Sequence, residues 1–427
     1  MRADCERVTR EISSDPYRNA DSTHETEVEP DTASNGASVV AVFQVGRVFD
    51  GGAANIGFAV SRDGGRSWHH GLLPGLTPFS RPRGTYPRVS DPSVAYDARH
   101  RMWLVVSLAF GPLSSGLLVS RSRDAAHWSR PVVATLAPSS APGQLLLDKQ
   151  WIACDNGSQS PFRGRCYISV DDLRTTQIAT QVSADGGLTW SAPASGPGFP
   201  GRISILGAFA PGVQPVVLPN GTVVIPYFDE RRVAAIRSTD GGVTWSGAIP
   251  IAAADYRMHA GLRAAPLPSA EVDSSGTVYV AWADCTTRPG CAANDIRVAR
   301  SADGVSWSAP VRVPSGAADA ELPGLAAMDS GRLALAYYIL RGRSLDVGFV
   351  ASRDRGLHWT RPRRLNSRSV PIAWIVRTSQ GSMVGDYIST SFARGRAVPV
   401  FALAFRPRAG ELRESMFATS IAFPKTR

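Results

Sequence analysis

Six times along the chain a serine, any residue and an aspartate run into a turn and a tryptophan. The copies read SRDGGRSW (61–68), SRDAAHW (122–128), SADGGLTW (183–190), STDGGVTW (238–245), SADGVSW (301–307) and SRDRGLHW (352–359). The Asp-to-Trp step is five residues in four copies and four in those at Asp124 and Asp303. An aspartate followed by glycine suits a tight turn, because the carboxylate accepts hydrogen bonds from backbone N–H groups just downstream. Glycine supplies the positive φ at little cost. The tryptophan carries a large apolar area that must be covered, and six of the ten tryptophans occupy this one position. The repeated aspartates are therefore turn staples rather than groups for chemistry.

Strand signals recur around each copy. Runs such as SVVAVFQV, MWLVVSLAF, RCYISV, TVVIPYF, TVYVAW and LALAYYIL are rich in β-branched and aromatic residues. Each is followed by a shorter run entering the turn, and preceded by a segment that starts near Glu29, Asp91, Lys149, Gln214, Ser269, Pro323 or Asp386. A repeat of roughly 50–65 residues with this order fits a propeller blade of four strands, the turn lying between the third and the outer one. The last repeat, about 383–424, has three strands and no turn motif, and residues 5–12 could supply its missing strand. The expectation is an all-β propeller of four-stranded antiparallel blades, seven rather than six, forming one domain over 1–427.

The net charge of +10 raises the question of nucleic acid. Lys149 and Lys425 are the only lysines, so the excess is arginine, and it is scattered in short, proline-interrupted groups. A nucleic-acid surface needs a concentrated basic stripe with stacking aromatics, which excludes that partner. No run approaches the roughly 18 apolar residues of a membrane span. Cys154/Cys166 and Cys285/Cys291 each flank a turn-like stretch without histidine at ligand spacing, so two local disulfides, no metal and no cofactor are expected, with Cys5 unpaired. Disulfides point to secretion or the cell surface, although the N-terminus carries no apolar signal segment. A monomer is expected.

In such a blade the loops opposite the turn motif gather beside the central channel. Here they carry Arg47, Asp50, Asp171, Asp172, Asp229, Glu230, Arg231, Asp284 and Arg341, and on the other connections Glu27, Glu29, Arg88, Asp91, Asp148, Arg263, Glu321 and Asp386. Acids converging with arginines suit glycosidic-bond cleavage, which needs a protonated carboxyl and a second group acting as nucleophile or base.

The six repeats, with the strand pattern between them, resemble the sialidase superfamily over nearly the whole chain. That resemblance implies a sialidase-like glycoside hydrolase acting on terminal sugars of glycans. It implies Asp50 as acid/base and Tyr387 in GDYIST as nucleophile, with Arg47 and Arg231 in a carboxylate clamp. Arg263 and Arg88 on the rim join them as substrate-binding residues. The chain departs from the family pattern where Val28 replaces the first clamp arginine and Gln214 stands near the place of a glutamate. Two alternatives stay open: a non-catalytic propeller that binds glycans or proteins, and a hydrolase using Asp148, Asp171 or Asp229.

Overall fold

The computed structural model describes residues 9–138, 146–173, 175, 177–198, 212–229 and 231–423. Strands Leu147–Cys154, Cys166–Asp172, Gln177–Ser183 and Ala194–Gly198 form an antiparallel meander. So do Val216–Val217, Val223–Asp229, Arg232–Ser238 and Ile249–Ala253, and again Ser269–Val272, Val278–Asp284, Asp295–Ser301 and Val311–Arg312. Asp319–Met328, Arg332–Arg341, Ser344–Ser352 and Arg363–Arg364 repeat the order, with Val370–Pro371 added on the third strand. Upstream lies an eight-stranded sheet. Glu27–Asn35, Ser38–Arg47 and Ala53–Ser61, with His69–Leu72 beside the last, join Arg88–Asp97, Met102–Gly111, Ser114–Ser122 and Val132–Pro138 through the single pair Ala53↔Val89. The final sheet runs Ser389–Ala393, Arg396–Ala404, Glu414–Ala418 and then Arg10–Glu11, in register Arg10↔Ala418.

The first strand of each meander touches the first strand of the next: 27–35 against 88–97, then 147–154, 216–217, 269–272, 319–328 and 389–393, which returns to 27–35. This circle of inner strands makes the molecule a β-propeller of four-stranded blades. Apolar side chains from facing sheets fill the seams, as where Tyr167 meets Val223, Ile225 and Ile236. Closing the circle leaves few strand edges for other chains to pair with.

The Ser-x-Asp turns are built as their chemistry dictates. Asp63 Oδ1 accepts from the backbone N–H of Arg66 and Ser67, both at 2.9 Å, while Ser61 Oγ accepts from Gly65 N–H at 2.8 Å. The turns also fasten neighbouring blades: Arg121 Nε donates to Gly186 O at 2.7 Å and Arg165 Nη1 to Gly241 O at 3.0 Å. Partial burial works slightly against the Asp240 carboxylate, but donors from Thr244, Ser238 and Val243 hold it at about 2. Asp240→Ala is expected to cost about 1–2 kcal/mol, read from urea unfolding. The depressed pKa means this contribution is complete above the unfolded value near 3.9 and disappears as pH falls toward about 2.

Disulfides Cys154–Cys166 and Cys285–Cys291 are both formed, and with them the structure fits an extracellular protein. No helix among the described residues is long and apolar enough to cross a membrane. Cys154–Cys166 joins the two inner strands of one blade across 12 positions. Replacing both cysteines by serine should cost about 3 kcal/mol by loop entropy, measured as a lower unfolding midpoint than the oxidised parent. Cys5 lies outside the described residues.

Candidate functional site

An antiparallel meander puts its first and third turns at one end and its second turn at the other. Gly64, in a Ser-x-Asp turn, accordingly donates its N–H to Ala37 O in the first turn of the same blade. The turns at Val48–Gly52, Leu173 and Asp229–Arg231 therefore open at the opposite end of the channel, as the sequence pattern requires.

At that end the inner strands share a device. Register shifts fall between Val28 and Asp31, Ser90 and Ser93, and Asp148 and Trp151. The bulged residues Glu29, Asp91 and Lys149 take φ of +57°, +45° and +51°. Such bulges re-aim a side chain, and left-handed backbone at non-glycine residues is a strained conformation concentrated at functional places. Here three consecutive inner strands send a charged group toward one point. Lys149 Nζ donates to Asp91 Oδ1 at 2.9 Å and to Asp386 Oδ2, and lies 3.5 Å from Glu29 Oε1. The Asp386 backbone N–H reaches Glu29 Oε1 at 3.2 Å. Gly385, before it, has φ of +138°, and a Cβ there would fall 2.9 Å from the Glu29 backbone, so the close approach requires glycine.

From the loop ahead of Ser269–Val272, Arg263 closes a fork on Asp386, with Nε donating to Oδ1 at 2.8 Å and Nη2 to Oδ2. Arg47 Nη1 donates to Gln44 Oε1 at 2.7 Å, and Gln44 Nε2 in turn bonds Glu29 and Ser90 Oγ. The side chains of Glu29, Asp91, Lys149 and Asp386 are 1–7% exposed, whereas Arg263 keeps 18% of its surface at the open edge.

Crowding of charges away from water drives the carboxyls apart in acidity. Burial opposes ionisation of Asp386, but the Arg263 guanidinium and the Lys149 ammonium outweigh it and hold the group well below the usual range. Burial and the charge of Asp91 push Glu29 up to about 8. Asp148, half-buried, is raised to about 6 by desolvation against the pull of Lys149. It stands directly across from Asp171 in strand register. Burial, and after it the charge of Asp148, lift Asp171 well above the ordinary value. Asp171 Oδ2 accepts from Gly212 N–H at 3.2 Å, while its buried Oδ1 has no partner among the described residues.

Solved structures share this architecture. An ulvan lyase assigned to polysaccharide lyase family 25 aligns over 95% of this chain and 96% of its own, at 12% identity and a TM-score of 0.52. The intramolecular trans-sialidase of Ruminococcus gnavus aligns over 77% of this chain and 93% of its own, at 12% identity and 0.51. The fold is that of the sialidase-like propellers. A Hadza microbial sialidase also matches at 17% identity and 0.49; the alignment takes in 74% of this chain and 63% of that longer one. No protein-family model and no curated sequence matches.

In this sialidase-like propeller the residues expected from sequence separate into two groups. Arg47 and Arg263 enter the cluster around Lys149 and Asp386. Arg88 stays near it, donating from Nη1 to Gly51 O at 3.0 Å with its guanidinium over the Phe110 ring. That bond ties the second inner strand to the Val48–Gly52 turn, on which Asp50 is exposed. Arg231 is exposed in its own tight turn and joins none of these contacts; Glu230 lies outside the described residues. Tyr387 is buried, stacked edge-on against Trp151 at 4.7 Å, and its hydroxyl donates to Pro92 O at 3.2 Å. Burial, then the charges of Glu29 and Asp91, push the phenol well above its ordinary value. In this arrangement the Tyr387 ring packs on Trp151, and its neighbour Asp386 is the one that meets the arginine. Tyr387→Phe should leave any activity of the protein within about twofold and cost about 1 kcal/mol of stability, the worth of one hydrogen bond.

Sequence reasoning missed Lys149 as the hub. It also missed His259, whose Nε2 lies 2.6 Å from Glu321 Oε1 and 3.5 Å from Asp319 Oδ1. The one available signal for Lys149 was its rarity, a single internal lysine in an arginine-rich chain.

Proposed function

We propose that this chain is an exported, seven-bladed, single-domain glycosidase of the sialidase-like type. It acts on terminal sugars of anionic glycans, with Asp148 as proton donor and Arg263 as the cation facing the sugar's acidic group. The blade count follows from treating the eight-stranded sheet as two blades joined at Ala53↔Val89. The observation that carries the chemistry is the Asp148–Asp171 pair. Two carboxyls in direct register share one low-dielectric spot, one of them less deeply buried and raised to about 6, beside Arg263. Neighbouring carboxyls whose surroundings separate their acidities are the usual means of running acid chemistry near neutrality. The exposed Asp50 supplies the second carboxylate on the same rim, to activate water or stabilise the developing positive charge.

The test is a panel of aryl glycosides and oligosaccharides, including sialosides and uronosides, followed by product detection. Turnover should favour acidic sugars, and Arg263→Gln should raise KM for them about 10–100-fold, the worth of a charged hydrogen bond. A different result, glycan binding without product from any member, favours a non-catalytic propeller. The saturation of Arg263 and Lys149 by Asp386 speaks for that second reading.

A further inference from the structure

Apart from the channel cluster, His259, Asp319 and Glu321 gather ligand atoms from the 254–267 loop and the start of the inner strand Asp319–Met328. His259 Nε2, Asp319 Oδ1 and Glu321 Oε1 all lie within 4.8 Å of one another. The side chains of His259, Asp319 and Glu321 are 8%, 15% and 0% exposed. We propose that these three groups form a binding site for a divalent transition-metal cation of the zinc type.

Lone-pair accounting supports the assignment. Glu321 Oε1 accepts from Asn294 Nδ2 at 2.8 Å, and Glu321 Oε2 from the Tyr256 hydroxyl at 2.8 Å. Asp319 Oδ1 accepts from the Asn294 backbone N–H at 2.9 Å. Each ligating oxygen thus has one outer donor orienting it and one lone pair aimed at the imidazole, the arrangement that outer partners give metal carboxylates. A tetrahedral zinc with bonds of 2.0–2.2 Å holds its donors roughly 3.3 Å apart. The His259–Asp319 separation of 3.5 Å already fits, and the His259–Glu321 separation of 2.6 Å needs to open by well under 1 Å. His259 also lines a cavity of about 500 Å³ with Arg343, Arg377 and Ser382. The other metal-like group, Asp255 with Cys285 and Cys291, is closed by its disulfide and offers no thiolate.

The site is tested on the full chain after chelator dialysis, by calorimetric titration with zinc chloride and, in parallel, magnesium and calcium chloride. One zinc per chain is expected, with proton release and no comparable heat from the other two cations. His259→Ala and Glu321→Gln should each weaken binding at least about 100-fold, and Asp319→Asn, at the more exposed edge of the cluster, about 10-fold. Cobalt should give a visible absorption band in the parent that His259→Ala abolishes. Absence of zinc binding up to millimolar concentration, or unchanged binding in folded His259→Ala, overturns the assignment. Neither readout involves glycan cleavage, so the outcome stands apart from that of the glycosidase test.

Discussion

Lys149→Met is expected to lower the unfolding free energy by about 3–5 kcal/mol, the cost of breaking a buried ion cluster by removing one partner. Methionine nearly matches the lysine stem, so the loss reports charge rather than volume. The ammonium neutralises Asp91 and Asp386 directly and lies 3.5 Å from Glu29; Glu29 and Asp91 sit on two other inner strands and Asp386 on the segment leading into a third. Without it Arg263 still holds Asp386, but the buried Asp91 carboxylate loses the ammonium that donates to its Oδ1. The measurement is a urea midpoint at pH 7, compared at equal denaturant dependence. A change below about 1 kcal/mol would mean that the four inner strands are held by packing alone.

Asp148→Asn should reduce kcat/KM on an acidic glycoside by about 10²–10⁴-fold while leaving the fold intact, the range for removing a positioned general acid. The sign of the pH dependence follows from the raised pKa. A proton donor works in its protonated form, so activity is present below about 6 and falls as pH rises through that value. Burial keeps Asp171 protonated across this range, so Asp171→Asn should leave the falling limb near about 6 and cost less rate than Asp148→Asn. A pH profile unchanged by Asp148→Asn removes Asp148 from the reaction.

The architecture was legible because its signals are local. Each Ser-x-Asp turn satisfies its own hydrogen bonds within four residues, so the sequence records it completely, as at Asp63 with Ser61, Arg66 and Ser67. The second strands were equally readable from their β-branched and aromatic runs, which put an inner strand ahead of each. The site was readable only in part, because its partners are distant in sequence and re-aimed by bulges. Whether residue 386 or 387 faces the arginine depends on a one-residue register choice, and periodicity carries no information about it. Arg231 shows the same dependence: a charged residue in a second turn can face the channel or the solvent, and only the turn geometry decides. Lys149 and Asp386 are 237 positions apart, and His259 and Glu321 are 62 apart; no spacing motif spans such distances.

The strand Arg10–Glu11 completes the last sheet, and Ser13 Oγ accepts from Met416 N–H across 403 positions. During translation this contact cannot form until nearly all of the chain has left the ribosome. Until then the Arg10–Glu11 strand waits without the Glu414–Ala418 strand that pairs with it. Contacts of such range are slow to form and invite wrong pairing with other nascent copies. Production of soluble protein should accordingly respond more to slowed synthesis or holding chaperones than to substitutions within any one blade.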